Sequence, residues 1–352
     1  MTVFLGLALA ATTGSLVFAA VMHRALFHDG GFWFFRVLNL GVPHFDRPHI
    51  RLADTLLQFP ALGILKFAPE RFEAAMAALD FAYSLHPIAS LIACGAILQR
   101  AGRRGYVLFP LLSFATATMA TMAFAVGVVP TTLSVFWPAF LLVVLPERRT
   151  RANLAALTLL LAMLAFLHEA AIGFYCLILW IAIRRAAKKR TADEYAVVAM
   201  TLAGIVWLAY LLLGPISGEA DLFVESLTER SVFRLHAAVC LCGILGPLCV
   251  WYIFPAIQRR YTAAFLVCFM ASATTASALN LLWVIFWNPV QVSLWHANSD
   301  RTIAFLFAAV IAAVAYLFLE RNVSLEWKSS PIARVFAPSA AIILILGFGI
   351  DL

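Results

Sequence analysis

The sequence predicts an all-α membrane protein, a polytopic transmembrane helical bundle of about eleven spans. Three observations carry that prediction. Of the 352 residues, 64% are hydrophobic and 12% are charged, and the mean hydropathy is +0.94. A soluble domain carries about 25% charge, so this chain has too little polar surface to face water on every side. Apolar runs recur from end to end, and a span needs about 20 such residues. The basic residues collect in short loops between those runs, which is orientation information. The net charge of +7 is therefore not a nucleic-acid footprint. No linker, low-complexity tract or internal repeat divides the chain, so residues 1–352 read as one transmembrane domain.

The first run, 3–27, lacks a basic leader and continues past Ala20, which predicts a retained span rather than a cleaved signal. Residues 28–82 follow as a long external loop. Within it, 55–68 is interrupted by Pro60 and Gly63 and reads as a helix lying in the interface. Residues 69–80 read as a second short amphipathic helix, started by Pro69. Spans are then expected at 83–99, 106–126 and 130–146, the last entered at Pro130 after Gly127. Further spans are expected at 195–213, 233–257, 261–285, 302–319 and 335–350.

Residues 153–183 form one long apolar stretch between two basic runs, Glu147–Arg151 and Arg184–Arg190. If both runs face the cytoplasm, the chain crosses an even number of times between them. The stretch is then two short helices meeting at His168–Glu169, each about 15 residues or about 22 Å long. On this threading the N-terminus is inside and the C-terminus outside. Cytoplasmic segments hold 16 Lys/Arg and 5 Asp/Glu, and external segments hold 9 and 13, which recovers the totals of 25 and 18.

Polar groups near a bilayer are expensive, so their positions are informative. His28, His44, His49, His86, His168, His236 and His296 all map to external loops or outer span ends, with His23 one turn below. External arginines include Arg36, Arg47, Arg51 and Arg301. Arg and His gathered at one aqueous cavity would bind phosphate or another anion. The segment His28–Arg36 places Asp29 just after the first span, before a diglycine and an aromatic run. Asp29 reads either as a helix N-cap or as a general base that takes a proton from an acceptor hydroxyl. Arg301 opens a span and reads either as an interfacial anchor paired with Asp300 or as an anion contact. His168–Glu169 reads as a polar turn in the headgroups or as part of the same site. The acidic residues of 214–232 read as a solvated helix face. All six cysteines fall in apolar runs without metal-ligand or redox spacing. No Walker, HExxH or DNA-binding pattern is present.

This arrangement resembles the integral-membrane glycosyltransferases of the GT-C fold. The likeness rests on the long first external loop with Asp29 at its start, its two interfacial helices at about 50–66 and 69–80, the many following spans, and a late external loop ending in Arg301. The resemblance implies sugar transfer from a polyprenyl-phosphate-linked donor to a lipid or glycan acceptor at the outer face of a bacterial-type inner (cytoplasmic) membrane. It implies Asp29 as catalytic base and Arg301 as phosphate contact; His28, Arg36, Arg47, Arg51, His168, Glu169 and His296 are the further candidates for binding substrate. Asp46 and Asp54 are candidate second carboxylates. Many members carry two adjacent acidic residues where this chain has Asp29 alone, so no metal ligand set is assigned and a divalent metal stays open. The implied partners are the lipid-linked donor, the acceptor and membrane lipids, with no nucleic acid.

Three other classes compete. A surface-polysaccharide polymerase or ligase would carry its large loop late in the chain, and here the longest one follows the first span. A lipid or solute transporter would show charged or broken midplane helices and two related halves. A non-catalytic scaffold would not need His, Arg and Asp gathered on one side.

Overall fold

The computed structural model describes residues 10, 13, 14, 17, 20, 21, 29–43, 55–121, 128–146, 149–168, 171–213 and 294–322. Every regular element among them is a helix. Among the described residues, two helices, Phe72–Arg100 and Ala192–Leu213, are long and apolar enough to cross a membrane. The chain divides into two compact units. One joins Leu16–Val107 to Phe124–Ala220, and the other comprises Met1–Ser15, Leu108–Ala123 and Asp221–Leu352.

The larger unit begins with α1 (Asp29–Leu40) and α2 (Phe59–Phe67). Both pack on the start of α3 (Phe72–Arg100). Phe34 of α1, Ala61 of α2, and Ala75, Leu79 and Tyr83 of α3 form one buried cluster. Phe34 also meets Phe72 edge to face, with ring centroids 5.3 Å apart. Together the three segments make a cap.

The expected division between a helix at 69–80 and a span at 83–99 is absent, because both belong to α3. The reason is periodicity. Ala75, Leu79, Tyr83, Leu91, Cys94 and Leu98 are buried at spacings of three, four or eight residues, a single unbroken stripe. No glycine or proline separates 80 from 83 to end the helix. At 29 residues, α3 is about 44 Å long, more than the roughly 30 Å of a hydrocarbon core. It stops where Gly102 takes a left-handed φ of 67°. Arg103 N then donates to Leu98 O and Gly102 N to Gln99 O, the paired bonds of a Schellman stop. A 3₁₀ turn, Arg104–Val107, follows.

The central helix is α5 (Val128–Val144), buried along nearly its whole described length and packed against α3, α6 (Arg151–Ala165) and α7 (Ile172–Lys189). Its Trp137 and Phe140 meet edge to face, and Phe136 stacks on Phe174 of α7 at 4.0 Å. Helix α6 starts at Thr150, whose side chain accepts from Asn153 N at 3.1 Å as an N-cap. Tyr175 of α7 locks the next layer. Its hydroxyl donates to Leu161 O of α6, and its ring lies against Gly204 of α8 (Ala192–Leu213). A Cβ at 204 would sit 2.2 Å from that ring, so only glycine fits there.

The stretch 153–183 does break into two helices, and His168 lies between them. Their direction follows from one ionic cluster. Glu194, in the first turn of α8, is 2% exposed and meets Arg149 at 3.0 Å, Arg185 at 3.0 Å and Lys189 at 3.8 Å. The same cations cap the end of α5. Arg149 donates to Leu142 O and Val143 O at 2.8 and 3.1 Å. Arg185 donates to Val144 O and Pro146 O, and Lys189 to Pro146 O. Leu142 O has no helical donor of its own, because residue 146 is a proline. Burial pushes the Arg149 guanidinium below its ordinary pKa, and its hydrogen bond and charge contact with Glu194 oppose that shift. The end of α5, the approach to α6, the end of α7 and the start of α8 therefore share one place. Helix α6 leaves it and α7 returns to it.

In the second unit, α4 (Leu108–Thr121) packs along α9 (Leu294–Glu320). Phe109, at the start of α4, meets Phe318, near the end of α9, edge to face with centroids 6.0 Å apart. The pair is thus antiparallel, and the first turns of α9 lie away from that contact.

Replacing Glu194 with glutamine keeps the shape and removes the carboxylate that these three cations share. It should cost about 3–5 kcal/mol. The thermal midpoint of the purified protein in detergent should fall accordingly, and an unchanged midpoint would remove the cluster from its structural role.

Candidate functional site

The cap places the sequence-derived candidates unequally. Asp29 is the first residue of α1, at the positive end of that helix dipole. Arg36 lies two turns further along α1, is exposed, and holds its guanidinium 5.0 Å from the ring of Phe32, one turn back on the same helix. Its observed contact is thus within α1. His28, Arg47, Arg51 and Glu169 lie outside the described residues, as do Asp46 and Asp54. His168 sits in the turn between α6 and α7, where its carbonyl accepts from Ala171 N at 3.0 Å. His296 and Arg301 lie in the first turns of α9. Asp29 and Arg301 belong to different units. Among the candidates, the described structure gathers Asp29 and Arg36 on α1, beside α2 and the first turns of α3.

Beneath the cap runs a polar seam that the sequence reading did not single out as a site. Asp80 and Ser84 are buried on α3, one turn apart, and Asp80 is fully enclosed. Ser90 continues the seam along α3, and Thr131 and Thr132 of α5 are buried as well. His86 of α3 makes a polar contact with α5. Its Nδ1 lies 2.8 Å from Ser134 Oγ, and its Nε2 lies 3.4 Å from Thr131 Oγ1. Ser134 donates its hydroxyl proton to Pro130 O at 2.8 Å. Its oxygen must therefore accept from His86, which puts the imidazole proton on Nδ1 and leaves Nε2 as an acceptor. Tyr83 packs edge-on against the same ring, with centroids 6.4 Å apart.

Two prolines frame this contact. Pro87 in α3 and Pro138 in α5 each lack the N–H that would bond one turn back. A polar pair beside two weakened helical turns can hold a hydrogen-bonding ligand or pass a proton along its hydroxyls. The signal for Asp80 was present in the sequence. It is a carboxylate in a stretch without helix breakers that runs directly into a span. Reading 69–80 as a surface helix hid it.

Among the described residues no group of three or more His, Cys, Asp or Glu side chains is placed to hold a metal ion. No family model matches the chain, and no curated protein or solved structure is similar to it at a significant level.

The His86–Ser134 pairing is testable by a double-mutant cycle. Ser134→Ala leaves the Nδ1–H without its acceptor and should cost about 1–3 kcal/mol, as should His86→Leu. The two together should cost clearly less than the sum, read from thermal midpoints. Strict additivity would contradict the tautomer and the bond.

Proposed function

We propose that the protein is a multi-pass membrane glycosyltransferase. It moves a sugar from a polyprenyl-phosphate-linked donor to a lipid or glycan acceptor, on the membrane face opposite its basic loops. The observation that carries this reading is the cap. Asp29 opens a helix packed on the protruding start of α3, and Arg100 lies at the other end of α3. In its own unit, Arg301 likewise lies in the first turns of α9, away from Glu320 and Arg321. Asp29 is thus near the end of α3 remote from Arg100, and Arg301 near the end of α9 remote from Arg321.

On this reading about eleven helices cross the membrane. The phosphate of the donor binds basic side chains at the outer surface, where guanidinium forks match its oxygens. Asp29 accepts the proton of the acceptor hydroxyl as that oxygen attacks the sugar's anomeric carbon. The lipid phosphate leaves with the electron pair of the broken bond. His168, at the turn between α6 and α7, faces the same side because that helical pair returns to its starting end.

A transporter is the second reading, and the His86–Ser134 pair between two proline-containing helices favours it. Donor-dependent product from purified protein in detergent, with no gradient present, decides for the enzyme.

Asp29→Asn should lower transfer about 100- to 10,000-fold while leaving expression and thermal midpoint unchanged. Wild-type turnover by this variant would remove Asp29 from the reaction.

A further inference from the structure

The basic run at the end of α7 splits into two halves with different surroundings. Arg185 and Lys189 turn inward to Glu194 and the carbonyls of α5. Arg184 and Lys188 each precede one of them by a single residue, about 100° around the helix, and both are exposed. Trp180 lies one turn before Arg184 and is 44% exposed. The Arg184 guanidinium sits 5.2 Å over the Trp180 ring. Trp180, Arg184 and Lys188 thus form a stripe at four-residue spacing, about 12 Å long.

We propose that this stripe binds the headgroup of an anionic phospholipid in the leaflet facing the basic loops. Its order along α7 fits a membrane boundary. The residues before Trp180 are almost wholly apolar, Trp180 stands in the last apolar turns, and the cations follow. Exposed Ile183 (49%) extends the apolar part beside the ring. The end of α7 is strongly basic: Arg184, Arg185, Lys188, Lys189 and Arg190 fall within seven residues, and Glu194 binds Arg185 and Lys189 together with Arg149. A second copy of the chain would bring like charge to this stripe. A soluble acidic partner would leave Trp180 and Ile183 without acyl chains to pack on. A lipid supplies both phosphate and tails.

The inference rests on α7 lying in a membrane, and not on the sugar-transfer reaction. Its test therefore needs no turnover. The purified full-length protein is placed in mixed micelles, and its association with spin-labelled phosphatidylglycerol is compared with that of spin-labelled phosphatidylcholine. The wild type should prefer phosphatidylglycerol. The preference should fall about fivefold per cation removed, or about 25-fold in Arg184→Gln/Lys188→Gln. Lys188→Gln alone, which leaves the Trp180 contact intact, should fall about fivefold and serves if the double variant is unstable. A large excess of inorganic phosphate should not displace the lipid. No preference in the wild type, a full preference in the variants, or displacement by free phosphate would each overturn the proposal.

Discussion

One buried carboxylate determines how half of the larger unit is wired. Glu194 draws together Arg149, Arg185 and Lys189, and those cations in turn cap the last carbonyls of α5. A helix C-terminus carries partial negative charge, so three cations there are favourable before Glu194 is counted. Glu194 then offsets the repulsion among them. Burying such a group costs much of what its attraction returns, so its larger effect is on specificity. Only one threading brings the end of α5, the approach to α6, the end of α7 and the start of α8 to a single carboxylate. That threading returns the chain across 153–183 and keeps both basic runs together.

The other constraint is the length of α3. At about 44 Å, α3 is longer than the roughly 30 Å of a hydrocarbon core. Its first turns continue the stripe through Ala75 and Leu79, and something must cover them. Helices α1 and α2 do so, which fixes α1 over the start of α3 and puts Asp29 at the beginning of a packed helix. The cap and the cluster lie at different ends of the structure's logic. One holds the candidate Asp29, and the other gathers the ends of α5 and α7 with the approach to α6 and the start of α8.

Much of this architecture was legible in the sequence. The doubling back of 153–183 followed from parity between ERRTR and RRAAKKR, with the break at His168 where it is found. That reasoning used charge alone, and charge is local to the sequence. Features that depend on a distant partner were not legible. Gly204 needs the Tyr175 ring to explain it, and Glu194 looked like one more loop charge until Arg149 and Arg185 closed on it. Asp80 was misplaced because 69–80 was read as a short helix of its own, whereas the stripe through Leu79 and Tyr83 continues it into one long helix. At the candidate site, composition pointed to Asp29 and Arg36 but not to the contact of Arg36 with its own helix's Phe32.

The central claim is that residues 153–183 cross twice, so that His168 shares a side with Asp29 and opposes Lys188. The direct measurement is labelling of single cysteines, in a background lacking the native ones, by a membrane-impermeant thiol reagent in intact cells and in inverted vesicles. His168→Cys and Gly31→Cys should react from the same side, and Lys188→Cys only from the other. If His168→Cys instead reacts from the side of Lys188→Cys, the two-helix threading is wrong, and the proposed outer site loses its sidedness.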